Sequence, residues 1–473
     1  MATDLDLRRS EMSGLPPVDA LTSPTGQLGR RRSGRATVAA LAAWVAVVAV
    51  GRWWGLRLLA HGRRLELPEP PLLGRAGPGL TPRLAVPVLV AAALVAGLPW
   101  ASRALRWGWL LVVSVAGSAV WAVALAFVDG PSWTAGLTRG LSGGNELGAD
   151  VARVAAHPAR FLATFSRDIG RYHVQVRGHP PGMILVLVGL RDLGLSGPGW
   201  AAALCIGAGC AAAAVVLVAA RLVAGEQRAR QAAPFLVLSP AAIWIATSTD
   251  AFFLLVAAIA VTLAIAALRP TATHAGRLAV AAGLAFAACL LLSYGLVLVA
   301  LVPVVLAWRW RRVRPLAVMG LVTLAGLAAF GLTGFWWPAG LLATRHQYGV
   351  LRVSRPYWYF VLADLSAWAI ALGPAMAVAL VRLTGWPGGP RWWARSGPRR
   401  GHGLALLVFG GLVAALVADL SGMSEAEVER IWLPFGVWVL LAGVSLAGRR
   451  ARPWLALQAA SAVVLVALVT TQW

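Results

Sequence analysis

Between residues 84 and 100 the chain reads LAVPVLVAAALVAGLPW, with no polar side chain on any face. Runs of this kind recur from one end of the chain to the other, and nothing constrains the fold more. An apolar helix of about 20 residues crosses the hydrocarbon layer of a bilayer. A strand crosses it only inside a closed barrel, which needs apolar and polar residues in alternation, and these runs do not alternate. The expected fold is therefore an all-α, polytopic transmembrane helical bundle. Candidate spans fall at 37–55, 84–100, 107–128, 182–196, 199–222, 233–248, 251–268, 278–292, 294–309, 315–335, 358–382, 402–419, 432–448 and 453–471, giving twelve to fourteen crossings. The 182–196 run contains Arg191 and Asp192 and reads as a partial or tilted span. The 278–309 region reads as one broken helix or two short ones, divided near Ser293-Tyr294-Gly295.

The net charge of +24 raises the question of nucleic acid. Its distribution answers against it. Every basic residue is an arginine, and the arginines cluster in short connections such as GRRRSGR at 29–35, RWRRVR at 309–314 and GRRARP at 448–453. That is the pattern that retains loops on the cytoplasmic side of a membrane. Residues 1–36 are polar and rich in Ser, Pro and Arg, and read as a disordered basic cytoplasmic tail. They precede N-terminal transmembrane helices over 37–106 and a main membrane domain over 107–473. With the N-terminus inside, a long loop at 129–181 and a second at 336–357 lie outside the cytoplasm, joined by 420–431. Cys205, Cys210 and Cys289 all sit in apolar runs and read as packing residues, with no metal-binding or disulfide spacing.

Acidic residues number only 18, so their positions inform. A carboxylate at a membrane boundary costs free energy unless it is paired or wet. Asp129 follows an apolar run directly and opens the first long loop. It reads either as a helix-end carboxylate facing headgroups or as a general base whose pKa is raised by partial desolvation. Asp250, Asp364 and Asp419 stand at span edges, and Glu425, Glu427 and Glu429 fall in the late loop. Ser424 followed by Glu427 fits a capping box.

The stretch RYHVQVRGHPPGM at 171–183 ends the first loop. Pro180 and Pro181 fix φ and start a helix at its first turn. They do not account for Arg171, Tyr172, His173, Arg177 and His179 beside them. Guanidinium and imidazole groups at a membrane surface suit a phosphate or pyrophosphate. The second loop carries a similar set, Arg345, His346, Tyr348 and Arg355, which reads either as an interfacial aromatic-arginine belt or as a site for an anionic lipid headgroup and a sugar. Arg430, next to Ile431 and Trp432, is a candidate for the same site.

Together, Asp129, His179-Pro180-Pro181-Gly182, PAAIWIATSTDA at 240–251, LLSYGL at 291–296 and ERIWLPF at 429–435 resemble the GT-C superfamily of integral-membrane glycosyltransferases. The resemblance is to its protein O-mannosyltransferase and aminoarabinose-transferase-like branch and actinobacterial relatives, over about residues 107–449. It implies a polyprenyl-phosphate-linked sugar donor, an inverting transfer to an acceptor hydroxyl on a glycan, lipid or protein of the cell envelope, and a base at Asp129. Many members carry a second carboxylate beside the first. Here Gly130 follows Asp129, so Glu146, Asp150 or Asp168 is left to fill that role, and a divalent-metal requirement stays open. No resident cofactor is implied, and the partners are the lipid bilayer and the lipid-linked sugar. The competing expectation is a transporter or flippase of a lipid-linked sugar or small solute. Its polar residues would line a path through the bilayer, whereas the clusters here sit at span ends. No internal repeat of the kind many transporters carry is present.

Overall fold

A computed structural model of the chain describes residues 24–128, 130, 132–142, 147–352, 355–384, 402–448 and 451–471. The order is α1 (Pro24–Ala60), β1 (Gly74–Ala76), α2 (Ala85–Ala104) and α3 (Trp107–Ala126), then four short helices: α4 (Trp133–Ser142), α5 (Gly148–Ala156), α6 (Pro158–Asp168) and α7 (Val174–Gly178). After these come α8 (Gly182–Asp192), α9 (Pro198–Ala224), α10 (Glu226–Val237), α11 (Ala242–Ile245), α12 (Asp250–Leu268), α13 (Ala275–Leu292), α14 (Leu301–Trp310), α15 (Val313–Gly331) and α16 (Trp337–Arg352). The chain closes with α17 (Tyr357–Leu372), α18 (Pro374–Thr384), α19 (His402–Ser421), α20 (Val428–Ile431), α21 (Leu433–Val439), α22 (Ala451–Leu468) and β2 (Val469–Thr471).

The protein is a polytopic helical membrane protein. Among the described residues nine helices are long and apolar enough to cross a bilayer, or ten if α17 and α18 form one bent span. This corrects the expected twelve to fourteen, and local sequence explains the difference. The 182–196 run yields only the eleven-residue α8. The 233–248 run breaks at Ser239-Pro240, because proline cannot donate into the helix and clashes with the preceding turn. The 294–309 and 432–448 runs are part 3₁₀ helix, which leaves them short. α1 starts at Pro24, within the stretch expected as a tail.

Backbone groups exposed at such breaks have no water to satisfy them in hydrocarbon, and the chain supplies partners from neighbouring helices. α17 and α18 meet at 92°. There Gly373 adopts φ +85, and the buried Gln458 amide on α22 donates to the Leu372 carbonyl at 2.8 Å and accepts from the Ala375 N–H at 3.1 Å. At the α10–α11 break Trp121 Nε1 of α3 donates to the Ser239 carbonyl at 3.2 Å.

The loops gather at one end of the bundle. β1 pairs antiparallel with β2, Gly74 opposite Thr471, which ties the segment after α1 to the end of α22. Arg83 donates to the Gly130 carbonyl, and Arg355 pairs with Glu66 at 2.8 Å. The expected first loop is a cap of short helices, and most of the expected second loop is the helix α16. The opposite end carries Arg221 and Arg230, both paired with Glu226.

Candidate functional site

At the start of α12 the chain presents Ser-Thr-Asp. Ser248 Oγ donates to Asp250 Oδ2 at 2.7 Å and accepts from the Asp250 N–H at 3.0 Å. A carboxylate in the first turn of a helix is favoured by the helix dipole, and Asp250 is only 3 % exposed. The late loop reaches it. Arg430 donates through Nη1 to Asp250 Oδ2 and through Nη2 to Glu427 Oε2. The guanidinium and Asp250 are both buried, so their ion pair lies outside the reach of solvent screening, while Glu427 stays part-exposed. Glu427 is not part of a capping box: it stands at the N-cap of α20 with φ +63, makes no side-chain cap, and spends its carboxylate on Arg430.

The His-Pro-Pro-Gly segment sits beside this cluster. Gly182 begins α8 so close to the end of α13 that a Cβ there would lie 2.3 Å from the Leu291 carbonyl oxygen. The two prolines and this glycine thereby fix where His179 stands. Its Nδ1 lies 2.8 Å from the Gln175 carbonyl. A carbonyl only accepts, so Nδ1 carries the proton and Nε2 keeps a lone pair. Burial pushes the His179 pKa below its ordinary range, and the nearby Asp250 carboxylate offsets this only in part. Its ring packs 5.7 Å from Phe253 of α12.

α16 closes the third side. Thr344 Oγ1 donates to the Arg177 carbonyl at 3.0 Å. A Cβ at Gly178 would meet the Tyr348 hydroxyl at 3.2 Å. Tyr348 lies within the electrostatic reach of Glu427, Arg430 and Asp250, and burial raises its pKa. Arg177 is half-buried, and Arg345 and His346 are exposed on the same junction. Among the described residues no carboxylate pairs with Arg177 or Arg345.

Other expected residues lie elsewhere. The buried Asp150 carboxylate accepts from the His173 N–H at 2.8 Å and sits 3.0 Å from His173 Nδ1. The Arg153 guanidinium stacks 4.9 Å over the Tyr172 ring and donates to the Arg171 carbonyl. Asp168 pairs with Arg167. Thus Arg171, Tyr172, His173 and Asp150 belong to a nest that holds the cap together, because the short helix α5 turns back onto the 169–173 turn, and Asp168 meets its neighbour Arg167. Arg355 is engaged by Glu66 and the Glu425 carbonyl. Asp129 and Glu146 lie outside the described residues. Arg191 and Asp192 sit half-exposed at the end of α8, 3.7 Å apart.

Two cavities adjoin the cluster's elements. One, of about 40 Å³, is lined by Ser118, Ser239, Glu429, Trp368 and Trp432. Glu429 is 1 % exposed and neither carboxyl oxygen has a hydrogen-bond partner in the protein. Burial raises its pKa to about 8. The other, of about 510 Å³, runs between α4–α5 and α8–α9 and is apolar apart from Arg191 and small polar groups. Among the described residues no three Asp, Glu, His or Cys side chains gather closely enough to hold a metal ion.

No family model matches the chain, and no curated protein matches it. Solved structures do. ArnT from Cupriavidus metallidurans in the apo state is similar at 17 % identity and a TM-score of 0.43, over 72 % of this chain and 59 % of that one. The same protein bound to undecaprenyl phosphate is similar at 18 % identity and a TM-score of 0.43, over 72 % of this chain and 60 % of that one. The chain thus spans about three-fifths of the length of these structures.

Of the expected residues, then, His179, Tyr348 and Arg430 share one cluster, with Arg177, Arg345 and His346 at its edge. Asp250, Ser248, Glu427 and Gln175 complete it and were not singled out for the site. The scarcity of carboxylates was the signal that could have found Asp250 and Glu427.

Proposed function

We propose that this protein is a membrane glycosyltransferase that moves a sugar from a polyprenyl-phosphate-linked donor to an acceptor hydroxyl, with inversion, on the extracytoplasmic face of the cell membrane. One observation carries the reading: Arg177 and Arg345, with which no carboxylate pairs among the described residues, stand at the junction beside the buried Asp250 and the part-buried Glu427 and His179. The two halves suit the two ends of such a reaction. Arginine binds phosphate bidentately and stabilises the charge that develops on a departing phosphate. Arg430, already held by two carboxylates, is poorly placed for that role. Carboxylates and the Nε2 lone pair of a neutral histidine accept hydrogen bonds from sugar hydroxyls. His179 could also take the acceptor's proton, a role it shares as a candidate with Asp129. The apolar groove between α5 and α8 suits the first isoprene units of the donor.

The positive-inside pattern supports assigning the arginine-rich end of the bundle, which contains Arg221 and Arg230, to the cytoplasmic side. The transport alternative calls for polar residues along a path through the bilayer, whereas Arg191 and Asp192 lie half-exposed at a helix end.

The test is sugar transfer from radiolabelled polyprenyl-phosphate sugars in membranes containing wild type, Asp129→Asn, Asp250→Asn and the double variant Arg177→Gln/Arg345→Gln, at matched expression. Transfer by wild type that the double variant weakens through KM supports the proposal. No transfer from any donor by folded protein sinks it.

A further inference from the structure

Ala426 and Glu427 are consecutive non-glycine residues with positive φ, +71 and +63. A side chain at such a φ is strained, and it persists only where surroundings over-determine it. The surroundings here are specific. The Ala426 N–H donates to Asp364 Oδ1 at 3.0 Å, and both residues are buried. On the other side Arg355 Nη1 donates to the Glu425 carbonyl at 3.0 Å while its Nη2 meets Glu66. Ala426 also packs in a satellite core with Leu65, Leu67, Tyr359, Phe360 and Ala363.

These contacts lead back to the N-terminal helix α1. Gly51 and Gly55 are four residues apart on α1. A Cβ at Gly51 would lie 2.4 Å from Ser366 Oγ, and one at Gly55 would lie 2.3 Å from the Tyr359 hydroxyl. Small residues at this spacing let membrane helices approach closely. Ser366 Oγ then donates to the Val47 carbonyl at 2.9 Å. α1 is thereby seated on α17, the helix that carries Asp364.

We infer that Asp364 is a positioning residue: from α17, braced by α1 and the 61–72 segment, it holds the left-handed Ala426–Glu427 turn that sets Glu427 on Arg430 and Arg430 on Asp250. The path is continuous. Asp364 fixes the Ala426 amide; the left-handed turn aims Glu427 back along α20; Glu427 and Asp250 together hold the guanidinium. Asp364 itself touches none of the groups proposed to meet substrate. What the cluster binds rests on the proposed function, but this hold does not.

The experiment is hydrogen–deuterium exchange of the full-length protein in detergent micelles, without substrate, comparing wild type, Asp364→Ala, Asp364→Asn and Asp364→Ala/Ala426→Gly. Losing a buried hydrogen bond should speed exchange about tenfold in the peptides covering 422–432 and 246–253 of Asp364→Ala. Asp364→Asn keeps an acceptor oxygen and should stay near wild type. Glycine adopts positive φ without steric cost, so Ala426→Gly should restore much of the protection. A purely space-filling Asp364 predicts neither the asparagine nor the glycine rescue, and unchanged exchange at 246–253 in folded Asp364→Ala overturns the inference. Should Asp364→Ala fail to fold, Ala426→Val carries the test: a β-branched residue at this φ must raise exchange at 422–432 and 246–253 together, and a rise confined to 422–432 overturns the inference. Because no substrate is present, either outcome leaves the glycosyltransferase reading to its own assay.

Discussion

Arg430 Nη1 rests on Asp250 Oδ2, a residue 180 positions earlier in the chain, and both side chains are sealed from solvent. A buried pair of this kind contributes little net stability, but removing one partner leaves an uncompensated charge and costs about 3–5 kcal/mol. Arg430→Met should therefore lower the unfolding temperature sharply, because it strands the buried Asp250 carboxylate. Arg430→Met/Asp250→Leu should recover part of the loss. Thermal unfolding of the four proteins of this cycle in one detergent measures the coupling. Additive losses would mean that the pair is not energetically joined.

Glu429 gives a pH signature of opposite origin. Its neighbour Arg430 faces the ion cluster, whereas Glu429 lines the small cavity with no protein partner. The facing charged groups, Glu427, Arg430 and Asp250, change its affinity for a proton less than burial does. The folded protein holds the proton up to about pH 8, while an exposed glutamate releases it near 4.5. Between these values the folded state binds more protons than the unfolded one, so stability falls as pH rises, by at most about 1.4 kcal/mol per unit. Below 4.5 this contribution is constant. Glu429→Gln should flatten that decline when unfolding temperature is measured from pH 5 to pH 8. An equally steep decline in the variant would show that Glu429 is not its source.

The helical membrane class was legible because apolar runs of span length have one physical outcome. Where the spans failed was also local: Pro240, Gly373 and the 3₁₀ segments interrupt runs whose composition alone looked continuous. Half of the site could be read from residue type. His179 and Arg430 stand out as charged or titratable groups beside membrane segments. Tyr172 and His173 stood out for the same reason, yet they serve the cap. Composition could not separate the two sets, since only the fold shows that Asp150 turns back to take His173. Glu427 was misread because a capping box assumes helical φ after Ser424, and Ala426 breaks that assumption with positive φ.

His179 should show its tautomer in activity. Nδ1–H is committed to Gln175, and burial pushes the imidazole pKa below its ordinary value. In the transfer assay the wild-type rate attributable to this group should hold as pH falls through 6.5, where a free histidine is half protonated, and drop only at lower pH. His179→Asn keeps a donor near the Nδ1 position but removes Nε2. It should fold normally and lose most transfer, whereas loss of folding in His179→Asn would assign the residue a structural role.

The groove between α5 and α8 offers a test that separates the lipid from the sugar. It is large enough, at about 510 Å³, for a ligand segment and is lined by apolar side chains such as Leu147, Leu187 and Leu190. Ala149 lies on its rim and is exposed, so Ala149→Trp should fill the groove at little cost to folding. If the donor's first isoprene units lie there, Ala149→Trp raises KM for a long-chain polyprenyl donor several-fold. Its kcat and its KM for a donor analogue with a single short prenyl chain should change little. Contacts made equally in ground and transition state move KM alone. Equal loss on both donors would place the tryptophan's effect at the sugar, and no effect on either would put the chain along another face of the bundle.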